Sequence, residues 1–391
     1  MRHLPQLLLL LLLPAVAVAH TPDKRVKPLL PIPADSIYFM DFFWDPIQQQ
    51  ATEASISTKA TFNWEAEPTS QSKLDKRIAQ WEQTFANTDI VGQERGKAPS
   101  LKRSLDLFEE SYHLALLTRN AKYADMAERI LFNSILRLKD TPDDPETADR
   151  LTMLLRNLDR MAYSIDGTDV YINLFTRANA HLHNDSINVI LQSVSSAPWK
   201  HQTAITFVPN MDMFRFDEQE TINEFERVIH NQSSTHHTDS CEVTFHIRVP
   251  YWVTGENLAP GCQIAPQKKK IRVFKRGIPS ARLEMADGYI IVRGKWALND
   301  NISFDVPTPI LRITDTTRPG QVALQRGPLV YDVEPTSATA PLLPTNSISY
   351  QFDKEEKVHA LSGSLGKDGD HFYAVPYFKK REKAQLFTPA Q

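Results

Sequence analysis

Just past Asp166-Gly167 the hydrophobic period of the chain changes from 3.6 residues to 2, and this switch constrains the fold more than any other feature. Before it, Leu101, Leu105, Phe108, Tyr112, Ala115 and Leu116 recur at three- and four-residue spacing, as do Tyr123, Met126, Ile130 and Leu131. The spacing predicts amphipathic helices between Leu74 and Tyr163, interrupted at Thr141-Pro142-Asp143-Asp144-Pro145 and resumed from about Glu146 to Met161. After it, Val170–Leu174, Ile187–Leu191, Val243–Ile247, Tyr289–Val292 and Ile302–Val306 alternate as strands do. Helices first and strands second predict an α+β multidomain chain, a helical domain followed by a β-sandwich.

The flanks read differently. Arg2 and His3, the apolar run Leu7–Leu13 and the small residues Ala17-Val18-Ala19 predict a signal peptide over 1–19 and an exported product, secreted or periplasmic. No later segment is apolar for long enough to cross a bilayer, so no membrane contact is expected after cleavage. Proline-rich 20–36 reads as a linker, 37–165 as the helical domain with aromatic-dense Ile37–Asp45 wedged into its core, 166–335 as the sandwich, and 336–391 as a partly irregular C-terminal extension.

Composition narrows the chemistry. The 44 Lys+Arg against 47 Asp+Glu leave a net charge of -3, no field for gripping nucleic acid. Thirteen glycines, no Walker loop and no Gly-x-Ser-x-Gly elbow argue against nucleotide-binding and esterase folds. The two cysteines, Cys241 and Cys262, are too few for a four-cysteine zinc module; in an oxidising compartment they are candidates for a disulfide. Sequons at Asn184, Asn231 and Asn301 are candidate glycosylation sites. His230, His236 and His237 with Asp239 read as a polar loop and as a weak candidate metal site, with His181 and His183 weaker still, since the spacing fits no helical zinc motif.

Several motifs in order resemble glycoside hydrolase family 127, typified by β-L-arabinofuranosidases. They are Phe42-Phe43-Trp44, Tyr123-Ala124-Asp125-Met126-Ala127-Glu128-Arg129 through Asn133, Tyr171-Ile172-Asn173-Leu174-Phe175, Pro198-Trp199, Ile247-Arg248-Val249-Pro250-Tyr251-Trp252, Gly288-Tyr289 leading to Arg293 and Trp296, and Val322 through Tyr331. The resemblance covers roughly 35–50 and 105–335. It implies an (α/α)6 barrel followed by β-sandwich domains, with catalysis in the barrel by a zinc-bound cysteine thiolate and a glutamate acid/base, the metal held by three cysteines and a glutamate.

This chain departs from that pattern. The family's adjacent cysteine pair falls on Glu146 and Thr147, and its Glu-x-Cys element falls near Ser100 and Lys102. Family segments are also missing between Phe43 and Leu101 and between Arg137 and Pro145, so a partial (α/α)6-barrel-like helical domain is expected, with no zinc cofactor. Carbohydrate is the expected partner, with Trp199, Trp252 and Trp296 as candidate sugar-stacking residues and the scaffold role as their alternative. Another copy or a homologous protein is expected to cover the truncated helical face. One alternative is a glycosidase using the carboxylates Glu146, Glu109, Glu110 or Glu128. The other is a non-functional product of an incomplete gene model.

Overall fold

The computed structural model describes residues 23–209, 240–267, 270–275, 283–297, 299–335, 342, 347–365, 370–379 and 385–389. The leader and the loop holding Asn231, His230, His236, His237 and Asp239 lie outside these residues.

Among the described residues the helical part contains α1 (Asp45–Glu53), α2 (Gln71–Phe85), α3 (Leu101–Thr118) and α4 (Ala121–Ile130). A single π turn, Leu131–Ile135, carries α4 into the short α5 (Leu136–Leu138), and α6 (Pro145–Arg156) follows. Local chemistry sets these ends. Ser100, Asn120 and Asp144 cap α3, α4 and α6 by accepting the amides of Arg103, Lys122 and Thr147. Pro145 opens α6, where a missing N–H costs nothing, and Arg119 closes α3 in the left-handed region at φ 57°.

The helices are less amphipathic than their spacing suggests. Every residue of α4 except Lys122 is buried, charged Asp125, Glu128 and Arg129 included, because α4 lies between α3 and the sheets. The π turn fastens this layer to the β region: Asn133 donates to the carbonyl of Pro328 and accepts from the amide of Val330, both at 2.9 Å.

Each of the five expected strands overlaps an observed one, at Asp169–Ile172, Asn188–Ser195, Cys241–Arg248, Tyr289–Trp296 and Asp300–Val306. They fall in two six-stranded sheets. The first runs, in spatial order, Glu284–Ala286, Tyr289–Trp296, Cys241–Arg248, Asp169–Ile172, Tyr163–Asp166, Leu30–Pro31. The second runs Arg272–Lys275, Asp300–Val306, His201–Pro209, Asn188–Ser195, Ala178–His183, Ile37–Phe39. The sheets meet where Trp296 of the first packs 5.8 Å from Phe207 of the second, and Lys275 places its ammonium 3.4 Å from the centre of the same indole.

Two boundaries and one burial pattern differ from the sequence expectation. The described part of the proposed linker is structural: Leu30 pairs with Ile165, and Leu29 and Ile32 are buried in the core. In the aromatic segment Ile37, Phe39 and Trp44 are buried, but Phe42 is 97% exposed. The strand region divides near 308 rather than at 335. Ile310–Asp315, Gln321–Arg326 and Leu329–Pro335 form a third sheet with Ser349–Asp353, Val358–Leu365 and Asp370–Pro376, so most described residues of the expected irregular extension are strands. Short strands interrupted by turns made this part look irregular, and only their cross-strand partners reveal it.

Candidate functional site

A polar cleft of about 490 Å³ opens between α2, the loop over 86–100 and the first turns of α3. Its floor is the edge of Trp81, which is 3% exposed, stacked on Phe85 at 5.0 Å and bonded through Nε1 to Ser111 at 2.8 Å. Around this floor stand Gln80, Thr84, Gln93, Ser104, Arg77, Arg103, Glu94 and Glu110. Gln93 donates to Ser104 at 2.8 Å, and the Ser104 hydroxyl donates to the carbonyl of Ser100 at 2.8 Å, which fixes this wall. The exposed and half-buried polar groups left around the floor are the neutral Gln80 and Thr84 and the charged Arg77, Arg103, Glu94, Asp106 and Glu110, groups that hydrogen-bond hydroxyls.

The four candidate carboxylates do not converge. Glu110 faces the cleft, with Oε1 and Oε2 accepting from Nε and Nη2 of Arg77 at 2.9 and 2.7 Å. Glu109, its neighbour on α3, turns to Arg150 of α6 at 3.0 Å, and Arg150 also holds Asp106 at 2.6 Å. Glu146 is exposed in the first turn of α6. Glu128 is 1% exposed inside α4 and out of reach of any solvent-borne substrate.

The two segments on which the expected metal-ligand positions fall, at the starts of α3 and α6, lie side by side. The amide of Lys102 donates to Asp143 at 2.7 Å and its ammonium lies 4.0 Å from Asp144, so the N-termini of α3 and α6 meet beside the cleft. Ser100 and Thr147 serve there in helix caps, and the Thr147 side chain is buried.

Two resemblance motifs meet elsewhere, in a buried ionic cluster. Arg248, 0% exposed, places Nη1 2.5 Å from Asp125, 123 residues away in sequence, and Nη2 2.7 Å from Glu128. Its Nε donates to the carbonyl of Asn173 at 2.7 Å. Arg129 stacks on Tyr251 at 4.2 Å. Burial pushes the Asp125 carboxyl above its ordinary value and Glu128 up to about 7, against the pull of Arg248. Glu128 Oε2 has no hydrogen-bond partner among the described residues. This cluster ties the helical layer to the first sheet and is closed to solvent, so its role is to position rather than to react.

Two of the three candidate sugar-stacking tryptophans are closed to solvent. Trp252 and Trp296 are 0% exposed, and Trp296 Nε1 bonds the carbonyl of Val243 at 2.9 Å. Trp199 is half-buried, with its ring 5.6 Å from Phe43 and 5.2 Å from His359. The expected disulfide is not formed. Cys241 and Cys262 are free thiols, one opposite Trp296 in the first sheet and the other opposite Asp315 beside the third. Asn184 holds an Asx turn, accepting from Ser186 and Ile187 while Nδ2 donates to Gly167, so its amide is engaged; Asn301 is exposed on a strand.

Sequence reasoning missed Arg77, Gln80, Gln93 and Arg103, which carry no motif. It quoted Asp125 and Arg248 within motifs without a role, because their partnership is made only by folding.

Residues 169–308 match the family described as beta-L-arabinofuranosidase, GH127 middle domain. Among solved structures the chain resembles a GH127 beta-arabinofuranosidase (TM-score 0.57, 17% identity, 75% of this chain and 49% of that one). It also resembles a GH127 beta-L-arabinofuranosidase from Geobacillus stearothermophilus T6 (TM-score 0.59, 17% identity, 80% and 56%). A third similar structure is described as a glycoside hydrolase (TM-score 0.55, 15% identity, 75% and 52%). The chain therefore spans about half the length of the solved structures it matches. No curated protein matches it.

Proposed function

From the premise of a GH127-like chain, with a middle domain matched by that family and a fold shared with its solved members, we propose an exported protein that binds arabinofuranoside-type carbohydrate in the cleft between α2 and α3 without zinc-thiolate hydrolysis. In this reading the helices are part of an (α/α)6 barrel and the two six-stranded sheets are its β-sandwich.

The observation that carries it is the corner where α3 and α6 begin. A catalytic zinc needs three protein ligands, and a thiolate nucleophile needs a cysteine. The residues at this corner are Ser100, Lys102, Glu146 and Thr147: the cap of α3, a cation that repels a metal, one exposed carboxylate and a buried threonine whose amide is held by the cap of α6. That donor set does not fit the family's zinc. The cleft beside it retains hydroxyl, amide and carboxylate groups suited to holding a sugar through its hydroxyls.

The carboxylate-glycosidase reading has one observation in its favour, that Glu110 and Asp106 line the cleft one helical turn apart. Against it, both oxygens of Glu110 are occupied by Arg77, which leaves none free to protonate a leaving group.

The test combines calorimetric titration with arabinan-derived oligosaccharides and an assay on aryl β-L-arabinofuranoside, with and without added zinc. The expected result is binding without turnover, unchanged by zinc and weakened at least about tenfold by Glu110→Gln. Turnover that disappears in Glu110→Gln would establish the hydrolase instead. Absence of any binding would remove the cleft from consideration.

A further inference from the structure

A second recognition surface lies on the outward face of the second sheet. Strand alternation turns Val273, Phe304, Ile302, Thr203 and Ile205 inward, where all are buried, and leaves their neighbours facing out. Cross-strand register then builds two outward rows. Phe274 stands opposite Ser303, which stands opposite Ala204, which stands opposite Val194; in the next row Arg272 stands opposite Asp305, which stands opposite Gln202. These rows line two adjoining depressions of about 480 and 630 Å³ that share Gln202, Arg272 and Asp305.

The larger depression is strongly basic in a chain of net charge -3. Lys200, Lys270, Arg272 and Arg326 line it, against the single carboxylate of Asp305. Lys200 and Lys270 have no carboxylate partner among the described residues. Arg272 contacts Asp305, but its side chain is 68% exposed, and a water-exposed pair of this kind exchanges readily for a stronger anion. Arg326 is held in place: its guanidinium lies 3.7 Å from the centre of the Tyr350 ring and donates to the carbonyl of Trp199. A planar donor fork fixed in advance loses little entropy when an anion arrives. Pro307 and Pro309 give the depression a stiff wall at the joint with the third sheet.

Beside the basic end, Phe274 is 54% exposed, on a row that also holds Ser303, Ala204 and the 60% exposed Val194. A large aromatic ring left in water on a sheet face, next to fixed amide and hydroxyl groups, suits the C–H face of a pyranose. We propose that this face binds an acidic saccharide, stacking one ring on Phe274 and holding its carboxylate or sulfate groups among Lys200, Lys270, Arg272 and Arg326. The surface belongs to a different part of the molecule from the helical cleft and does not depend on the reading given to that cleft. Nucleic acid is disfavoured, because one aromatic ring in one short groove offers no track for successive bases.

The experiment is calorimetric titration of the full chain with an oligogalacturonate, which carries carboxylates, and a heparin-derived oligosaccharide, which carries sulfates. A neutral arabino-oligosaccharide and a single-stranded DNA oligonucleotide serve as comparators. At least one acidic saccharide is expected to bind, weakening as salt rises from about 50 to about 300 mM. Phe274→Ala and the double variant Lys200→Gln/Lys270→Gln should each raise its Kd by about tenfold or more with Tm unchanged, while Glu110→Gln in the cleft should leave it unchanged. The stronger of the two acidic probes identifies the anionic group. The proposal is overturned if neither acidic saccharide binds, if the DNA binds as tightly as the better one, or if the sheet variants leave affinity intact. A neutral probe that binds and responds only to Glu110→Gln reports on the cleft alone.

Discussion

Replacing Arg248 by methionine should expose the energetic centre of the molecule. The side chain is completely buried, and its guanidinium lies 2.5 Å from Asp125, 2.7 Å from Glu128 and 2.7 Å from the carbonyl of Asn173. Methionine fills much of the volume but removes the only cation within ion-pair distance of those two buried carboxylates among the described residues. Breaking a buried ion pair from one side costs about 3–5 kcal/mol, which for a chain of this size lowers Tm by roughly 5 °C.

The sign of the pH dependence follows from the carboxylates. Asp125 and Glu128 are raised above their ordinary 3.8 and 4.5 even with Arg248 present, so the folded chain keeps protons that the unfolded chain releases. Their contribution is fully present below those ordinary values and is lost as pH rises through the folded ones. For Glu128 that window runs from 4.5 to about 7 and is worth roughly 3 kcal/mol in the parent protein. Without Arg248 the carboxylates are raised further, so Arg248→Met should cost more near pH 8 than near pH 5. Thermal melts followed by circular dichroism across this range provide the assay. Adding Asp125→Asn and Glu128→Gln to Arg248→Met should recover most of the loss, because no unpaired charge then remains buried. A variant that melts with the parent near pH 8, or loses the same amount at both pH values, would refute the reasoning.

Two further outcomes are expected. Gly288→Ala should lose about 2–4 kcal/mol in chemical denaturation, since Gly288 has φ +80° and an added Cβ would stand 2.6 Å from that of Ala121; a variant as stable as the parent would show that the turn does not dock on α4. Two thiols per chain should react with a maleimide in denaturant without reductant, and in the native state Cys241 should react before Cys262, which is buried, its thiol pushed up to about 11 by that burial and by Asp315; a chain with no reactive thiol would overturn the assignment of both as free.

The amino-acid order alone was enough to locate approximately every strand that was named, because alternation is a property of neighbours along the chain; the helix-to-strand switch itself lies earlier than Asp166-Gly167, since Tyr163–Asp166 is already a strand and Asp166-Gly167 is the turn that pairs it with Asp169–Ile172. Folding also brings together two segments that sequence could only consider separately, the starts of α3 and α6, through Lys102, Asp143 and Asp144. What no local pattern carries is the environment of each charge. Glu109, Glu110, Glu128 and Glu146 look alike in sequence, yet one faces a cleft, two serve helix surfaces and one is sealed in the core, since burial and partners come from segments far away in the chain. Tertiary structure alone decided that Trp252 and Trp296 are buried plugs while Trp199 is half-buried, that the two cysteines stand in different sheets, and that residues past 336 complete a third sheet. The physical reason is the same in each case: periodicity tells a side chain which way to turn, but only the packing of distant segments determines what it meets there.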